Sequence, residues 1–371
     1  MEVTKDLIIS KLKDIIVPES NKPVSEYIKE LQIEDKNINL KIDLDKKSSP
    51  LKNSLEKVVS NVLTDIKKAG YNLNLTVTAE KLEFQKVNVN PQVAENPLDK
   101  VKNIIAVASG KGGVGKSTVS TNLAIALAKT GAKVGLLDAD VYGPSIPTMF
   151  GLTTERPMVE KIDEKDYIIP FEKFGIKLIS IGFFVKEEDA LIWRGSMATS
   201  AVKQLINDVK WGDLDYFVID LPPGTGDVPL TMVQTIPVTG AVIVTTPQQV
   251  AVADVIKSIG MFKANKIEVP ILGIVENMSW FTPADAPDKK YHIFGKGGGQ
   301  KLADKFNLKL LGQIPLVENI VENADNGKPA IMQEGSIESK VMLEIADNVV
   351  KQLNERNEKL DPTKIVEITT K

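Results

Sequence analysis

The fold is decided by the stretch Gly110-Lys111-Gly112-Gly113-Val114-Gly115-Lys116-Ser117-Thr118. It fits the pattern G-x-x-x-x-G-K-[ST], follows the apolar run Ile104–Ala108 and precedes the helix-like run Thr121–Lys129. A strand, this loop and a helix in that order predict a phosphate-binding P-loop. Its glycines allow successive backbone N–H groups to point at a phosphate, and the helix adds the positive end of its dipole.

Two side chains of the loop carry the chemistry expected of an ATP site. We expect Lys116 to reach the β- and γ-phosphates and the hydroxyl of Ser117 to coordinate Mg²⁺. The alternative is a glycine-rich turn with a chance lysine, which does not explain the strand and helix around it. Lys111 is an additional lysine in the loop, and from the residues alone it is also compatible with a solvated surface charge.

Two other predicted strand ends carry carboxylates. Asp138 and Asp140 lie in the run Leu136–Ser145, and Asp220 follows the apolar run Phe217–Ile219. The carboxyl ends of parallel strands face the ligand crevice of such a sheet. Asp220 therefore fits the Walker B carboxylate, which holds Mg²⁺, often through water. For Asp138 and Asp140, solvated turn residues or helix caps remain an alternative.

Two loops complete the candidate site. Pro222–Gly226 is a constrained loop that we interpret as a sensor of the γ-phosphate, with Gly224 in contact with the nucleotide. Asn277 follows the apolar run Ile271–Val275, and its amide can donate and accept hydrogen bonds, as adenine recognition requires. An Asn after a strand is also a common turn residue.

From Val101 onward, short apolar runs alternate with helical segments. This alternation predicts a P-loop ATPase domain over residues 101–357, an α/β fold with a mostly parallel sheet flanked by helices. Residues 358–371 are predicted to be a C-terminal tail. The expected strands are Ile104–Ala108, Val134–Leu137, Ile176–Ile181, Tyr216–Ile219, Ala241–Val244, Ile271–Val275 and Leu308–Leu311, and the last helix is Ile337–Asn354.

Residues 1–86 predict a small α+β domain in front of the large one. Residues 87–100 contain two prolines and few large apolar groups, so we interpret them as a linker. The spacing of apolar residues predicts helices over Thr4–Ile16 and Leu51–Ala69, strands over Ile38–Leu44 and Leu73–Val77, and a further strand near Val24–Leu31.

The composition argues against several classes of function. The formal net charge is −3, without the concentrated basic field of a nucleic-acid binder. No apolar run approaches the ~20 residues needed to span a bilayer, and no signal peptide is visible, so a cytoplasmic protein is expected. The chain has no cysteine and one histidine, His292. Thiolate metal sites within the chain are therefore impossible.

Together these elements resemble the deviant-Walker P-loop ATPases of the MinD and ParA class. Within that class the chain looks most like the Mrp (ApbC) family of iron–sulfur cluster carrier proteins. The resemblance covers about residues 101–354, and residues 1–85 look, more loosely, like the family's small N-terminal domain. It rests on the runs Gly110–Thr118, Leu137–Ser145, Asp220–Asp227, Val275–Ser279 and Ile293–Gly299, which stand in the family's order.

The resemblance implies a role for each candidate residue. Lys111 would be the signature lysine that reaches across a homodimer to the partner's ATP, and Asp140 would orient or activate the attacking water. Asp138 and Asp220 would support the Mg²⁺ shell, and Asn277 would contact adenine. It also implies a slow ATPase stimulated by dimerisation or by partners, these being iron–sulfur assembly proteins or apo-clients.

The chain departs from the family where a Cys-x-x-Cys pair usually holds the cluster. The segment Trp280–His292 contains no cysteine, and Ser49-Pro50 stands where the N-terminal domain often has a cysteine before proline. Asp285, Asp288 and His292 offer oxygen or nitrogen ligands, which suit harder metals than an iron–sulfur cluster. An iron–sulfur cofactor is thus expected from the resemblance only, and we interpret the segment as a solvated surface loop.

Three functions stay open on the sequence. The first is an Mrp-type ATPase in iron–sulfur cluster handling, with the cluster held by another protein. The second is a positioning ATPase that acts on a membrane or DNA surface, although Ile337–Asn354 mixes lysines with acidic residues and lacks the basic character of a membrane-seeking helix. The third is a nucleotide-switched metal chaperone.

Overall fold

The chain forms two compact units, Met1–Ala94 and Glu95–Lys371. Most of the predicted linker lies outside the described residues, and Pro97–Lys100 form one 3-10 turn. The computed structural model describes residues 3–17, 22–44, 52–79, 97–162, 165–184, 195–264, 267–283, 285–286, 289–317 and 326–363.

The first unit contains a three-stranded sheet whose apolar face packs against helices. Its elements are α1 (Lys5–Leu12), β1 (Ile16–Val17), β2 (Lys22–Pro23), β3 (Ile28–Glu34), β4 (Asn37–Leu44), α2 (Lys52–Val62), α3 (Thr64–Lys68) and β5 (Asn72–Ala79). The central strand β4 is antiparallel to β3 and parallel to β5. Ile38, Leu40, Ile42 and Leu44 are buried on one face of β4, as their alternation predicts.

The predicted helix Thr4–Ile16 is wrong at its C-terminal end. α1 ends at Leu12, and Ile16 pairs with Pro23 in the small hairpin β1–β2. The helix is capped at its start, where the Thr4 hydroxyl accepts the N–H of Leu7. Val17, the last residue of β1, precedes a proline, and this position disfavours helical backbone.

The predicted helix Leu51–Ala69 is interrupted. Leu63 leaves the helical conformation, with φ −92° and ψ 11°, and separates α2 from α3. The hydroxyl of Thr64 donates to the carbonyl of Ser60 at 3.1 Å, a back-bond of the kind that bends helices. The further strand expected near Val24–Leu31 is present as β3, after one 3-10 turn.

The second unit contains an eight-stranded sheet. Its order is β10-β11-β7-β12-β6-β13-β14-β15, and β10–β11 is the one antiparallel pair among the described strands of this sheet. The mostly parallel sheet is therefore confirmed. The elements are β6 (Val101–Ser109), α4 (Lys116–Lys129), β7 (Val134–Asp138), α5 (Ile146–Met149), β8 (Val159–Ile162), β9 (Lys165–Ile168), β10 (Phe171–Lys173), β11 (Ile176–Ser180), α6 (Gly195–Asp208), β12 (Leu214–Asp220), α7 (Asp227–Thr235), β13 (Gly240–Thr245), α8 (Gln249–Lys263), β14 (Ile271–Glu276), α9 (Gly298–Phe306), β15 (Leu310–Gln313) and α10 (Ile337–Lys359).

Helices cover both faces of this sheet. Along β6, Ile105 and Val107 pack with α4 and α10, whereas Ile104 and Ala106 pack with α6, α7 and α8. Strands that are buried on both faces have continuous apolar sequences, and for this reason β6 could be predicted from the run Ile104–Ala108. α4 is itself buried over most of its surface, from Lys116 to Leu127. The helix after the P-loop therefore lies inside the core, between the sheet and α10.

Other elements differ from the sequence prediction. The hairpin β8–β9 was not predicted, because its strands are mostly exposed and carry no apolar alternation. The last strand is Leu310–Gln313, and α10 continues beyond Asn354 to Lys359. Residues 364–371 of the predicted tail lie outside the described residues. No helix in the described part of the chain is long and apolar enough to cross a membrane.

Candidate functional site

The loop Gly110–Gly115 joins β6 to α4 and borders a cavity of about 360 Å³. Gly113 and Gly115 have φ values of +78° and +81°, which side-chain-bearing residues rarely adopt. A Cβ on Gly110 would overlap the backbone of Asp254 in α8. The cavity is lined by Ser109, Lys111, Gly112, Gly113, Gly115, Lys116, Ser117, Thr118, Asp140, Tyr142, Gly143, Ser145, Met149 and Pro223.

The strand register brings two of the predicted carboxylates together. β7 and β12 are parallel neighbours in which Asp138 lies opposite Asp220, and Asp220 lies opposite Val107 of β6. Both carboxylates are fully buried. Residues from three chain segments thus meet beside the P-loop, at the carboxyl edge of the sheet.

Lys116 lies in the middle of this group. Its Nζ is 2.8 Å from Oδ2 of Asp220 and 3.4 Å from Oδ2 of Asp140, and its side chain is 6% exposed. Burial lowers the pKa of Lys116, but the Asp220 and Asp140 carboxylates outweigh it and raise that pKa overall. The lysine therefore stays protonated as a buried cation directed at the cavity.

Asp220 is also held by two serines of α4. Ser117 donates its hydroxyl to Oδ2 at 2.5 Å, and Ser120 donates to Oδ1 at 2.6 Å. Hydroxyl and carboxylate oxygens are the hard ligands that Mg²⁺ prefers, so Ser117 and Asp220 fit this ion. Ser120 was missed from the sequence, although it follows Lys116 by four residues and so lies on the same helix face.

Asp138 supports the loop that follows β7. Its Oδ2 accepts from the Ser180 hydroxyl at 2.8 Å and from the N–H of Ile146 at 3.4 Å, and its Oδ1 accepts from the N–H of Asp140 at 3.2 Å. Burial, reinforced by the charge of Asp220, raises the pKa of Asp138 to about 7. Asp138 is not among the residues that line the cavity, its backbone contacts are with the loop after β7, and its place in the Mg²⁺ shell stays a prediction.

Asp140 is the carboxylate of the three that lines the cavity. It is 7% exposed and accepts the N–H of Tyr142 at 3.3 Å. Burial raises the pKa of Asp140, Lys116 opposes this shift, and Asp220 adds to it. A carboxylate in this position can accept a hydrogen bond from a group inside the cavity.

Lys111 and Gly224 both share a hydrogen bond with Ser109, the last residue of β6. The side-chain ammonium of Lys111 is 3.4 Å from Oε1 of Gln248. The backbone carbonyl of Lys111 accepts a hydrogen bond from the Ser109 hydroxyl at 2.9 Å. Gly224 has φ +86° and donates its N–H to the Ser109 carbonyl at 2.9 Å. The loop after Asp220 is therefore tied to the end of the P-loop strand.

Asn277 supports the P-loop directly. Its Nδ2 donates to the carbonyl of Val114 at 2.9 Å, and its Oδ1 accepts the N–H of Met278 at 2.9 Å. A Cβ on Gly115 would overlap the Asn277 amide, so Gly115 permits this close approach. The sequence did not indicate this contact, and the predicted contact with adenine stays a prediction.

The segment Trp280–His292 does not form a metal site where it is described. Asp285 is exposed, and Asp288 lies outside the described residues. His292 Nδ1 is 3.0 Å from the carbonyl of Ser279, so this nitrogen carries a proton. Among the described residues, no group of three or more His, Cys, Asp or Glu side chains is placed to hold a metal ion.

A P-loop between a central parallel strand and a buried helix, with carboxylates at the adjacent strand ends, defines a P-loop NTPase. Residues 100–350 match the family described as ParA: NUBPL iron-transfer P-loop NTPase. The chain belongs to this family, which confirms the resemblance found in the sequence.

Relatives cover most of the chain. An iron–sulfur cluster carrier protein of Synechocystis is 40% identical over 354 residues, covering 94% of this chain and 97% of that protein. The iron–sulfur cluster transfer protein NUBPL of Dictyostelium discoideum is 48% identical over 265 residues, which are 71% and 80% of the two chains.

Solved structures agree with the fold of the second unit. The nucleotide-binding protein of Archaeoglobus fulgidus, in complex with ADP, is 41% identical with a TM-score of 0.55, covering 65% of this chain and 92% of that one. The cell-division ATPase MinD of Pyrococcus furiosus is 24% identical with a TM-score of 0.50, covering 67% and 99%. The second likeness concerns the fold alone.

The raised pKa of Asp138 predicts a loss of stability as the pH rises. Below pH 3.8, the ordinary pKa of the group, Asp138 is protonated in both the folded and the unfolded protein. Between pH 3.8 and about 7 the unfolded protein loses this proton, whereas the folded protein keeps it. Without nucleotide or metal, the free energy of unfolding should therefore fall between about pH 4 and pH 7. Asp138→Asn should flatten this fall in urea titrations at about pH 5 and pH 8.

Asp304→Asn, at an exposed aspartate of α9, is the matched control. It should leave the dependence of the free energy of unfolding on pH unchanged. An equally steep fall in Asp138→Asn would show that another group carries the pH dependence.

Proposed function

We propose that this protein binds and hydrolyses ATP with Mg²⁺ and uses the nucleotide cycle in the transfer of iron–sulfur clusters to client proteins. The observation that carries the proposal is Lys116, a buried cation between Asp220 and Asp140 at a P-loop cavity. Relatives named as iron–sulfur carrier and transfer proteins support the cargo. The expected setting is the cytoplasm, with assembly proteins or apo-clients as partners.

Each side chain has a place in the proposed reaction. Lys116 and the loop N–H groups bind the β- and γ-phosphates, and Ser117 and Asp220 hold Mg²⁺, which when bound neutralises charge on the phosphates. Asp140 accepts a hydrogen bond from the attacking water and so orients it. Gly224 belongs to the loop beside the γ-phosphate, which reaches the cavity through Pro223, and Asn277 contacts adenine.

Lys116→Ala should abolish Mg²⁺-dependent ATP hydrolysis, with a loss of at least ~10²-fold, because the lysine offsets charge on the transferring phosphoryl group. Phosphate release measures it. Since the change leaves carboxylates unpaired, a thermal melt should accompany the assay.

Lys102→Ala is the matched control. Lys102 is an exposed lysine at the opposite end of the same strand β6, paired with Asp215. Hydrolysis should persist in this control. Wild-type rates in folded Lys116→Ala would mean that the site is misassigned.

We further propose a homodimer that ATP tightens. Lys111 supports this proposal, because it lines the cavity, is only half-buried and has a neutral partner, Gln248, at 3.4 Å. A lysine so placed can turn to the phosphates of a second copy without breaking an ion pair among the described residues.

Asp140→Ala should bind ATP but hydrolyse it slowly, and so accumulate the dimer in sedimentation velocity experiments. Asp304→Ala, an exposed aspartate in α9, is the control and should dimerise only transiently. A monomer in every nucleotide state, with full ATPase activity, would refute the dimer.

The cargo is proposed to be held by a partner protein. The chain has no cysteine, and its His292 is one imidazole on an exposed loop. Clusters are held mainly by cysteine sulfur, with histidine as an occasional ligand, and carboxylates suit harder metals. The residues present therefore do not fit a cluster, whereas the nucleotide site needs none of the missing ones.

Anaerobic incubation with iron and sulfide should leave the isolated chain without stoichiometric iron or a stable visible chromophore. ATPase activity should survive the same treatment. Iron and sulfide counts near one cluster per dimer would refute this prediction. His292→Ala would then test whether the imidazole is the ligand.

A further inference from the structure

Glu276 is a fully buried glutamate at the carboxyl end of β14. Its Oε1 accepts from the Ser279 hydroxyl at 2.9 Å and from Nε2 of Gln313 at 2.7 Å, and its Oε2 accepts the N–H of Gly299 at 2.5 Å. No cation pairs with it among the described residues. Burying a carboxylate costs free energy even when it is hydrogen-bonded. A glutamate at this position therefore indicates a role that an apolar side chain could not fill.

Two glycines bring the start of α9 to this carboxylate. A Cβ on Gly299 would lie 2.8 Å from Cβ of Glu276, and a Cβ on Gly298 would lie 2.5 Å from the carbonyl oxygen of Pro247. Glycine at both positions therefore allows the first turn of α9 to approach, where free N–H groups and the helix dipole favour a negative charge.

The turn after Glu276 has a backbone conformation that its sequence disfavours. Met278 has φ +54°, in the left-handed region that residues other than glycine rarely adopt. In this conformation the N–H of Met278 reaches Oδ1 of Asn277, whose Nδ2 in turn reaches the Val114 carbonyl of the P-loop. The bond from Ser279 to Glu276 closes the turn from the other side.

We propose that Glu276 is a positioning residue for nucleotide binding, which holds the left-handed turn at Met278 and so directs Asn277 at the P-loop. Neither Glu276 nor Asn277 is among the residues that line the cavity, so Glu276 acts through Asn277, and Asn277 acts through its bond to the Val114 carbonyl of the P-loop. The inference rests on the proposed function in one respect, that the cavity binds an adenine nucleotide. Because Asn277 supports the loop before any reaction, loss of Glu276 raises KM for ATP more than it lowers kcat.

A double-mutant cycle on ADP affinity, measured by calorimetry in the full chain, tests this coupling. Glu276→Ala and Asn277→Ala should each weaken ADP binding about tenfold, and the double variant should bind no more weakly than Asn277→Ala alone. Glu276→Gln should retain most of the affinity, because an amide can still accept from Gly299 and pair with Gln313. Glu338→Ala, a change at a buried glutamate of α10, is the matched control and should leave ADP affinity unchanged.

Additive losses in the double variant, or wild-type affinity in Glu276→Ala, would overturn the inference, as would a glutamine variant as weak as the alanine one. If Glu276→Ala does not fold, Ser279→Ala, which removes one donor to the same carboxylate, replaces it in the cycle under the same criteria. Failure of the wild-type chain to bind ADP would instead overturn the proposed nucleotide site, and the inference with it.

Discussion

The contact between Lys116 and the carboxylates at the adjacent strand ends is the interaction on which the site depends. Asp220 and Asp140 lie within 3.4 Å of the ammonium, and Asp138 stands opposite Asp220 in the strand register. The negative charge of Asp220 raises the pKa of Asp138 in addition to burial, and Lys116 opposes this rise. Removing one partner from a buried ion pair costs about 3–5 kcal/mol, so each charge here depends on the others.

Backbone hydrogen bonds beyond the strand ends hold these charges in place. Ala139 donates to the Asp220 carbonyl at 3.0 Å, Leu221 donates to the Val107 carbonyl at 3.1 Å, and Gly224 donates to the Ser109 carbonyl at 2.9 Å. The loops that follow β7 and β12 are thus tied to the ends of the neighbouring strands β12 and β6. Such preorganised groups need little rearrangement when charge develops in a reaction.

Features with a local signal were predictable from the sequence, and features made by distant contacts were not. The P-loop and Asp220 could be predicted because a motif and an apolar run mark them. The bond from Asn277 to Val114 joins residues 163 positions apart, so no sequence window contains it. In the sequence, Glu276 was only one residue of the family run Val275–Ser279. Its contacts with Gly299 and Gln313 could not be predicted, because these partners lie in α9 and β15. The exposed hairpin β8–β9 was missed since neither of its faces is apolar.

The burial of α4 has a mechanical consequence. This helix carries Lys116 and Ser117 at its first turn, and it is enclosed by the sheet and α10. Because close-packed interiors resist displacement, α4 cannot shift without opening the core. The proposed nucleotide cycle therefore has to act through other parts of the site, such as the loops 139–145 and 221–226, which contribute Tyr142, Ser145 and Pro223 to the cavity lining. In the proposed nucleotide cycle, α4 is therefore a fixed platform for the phosphates, and the surrounding loops are the parts of the site that differ between nucleotide states.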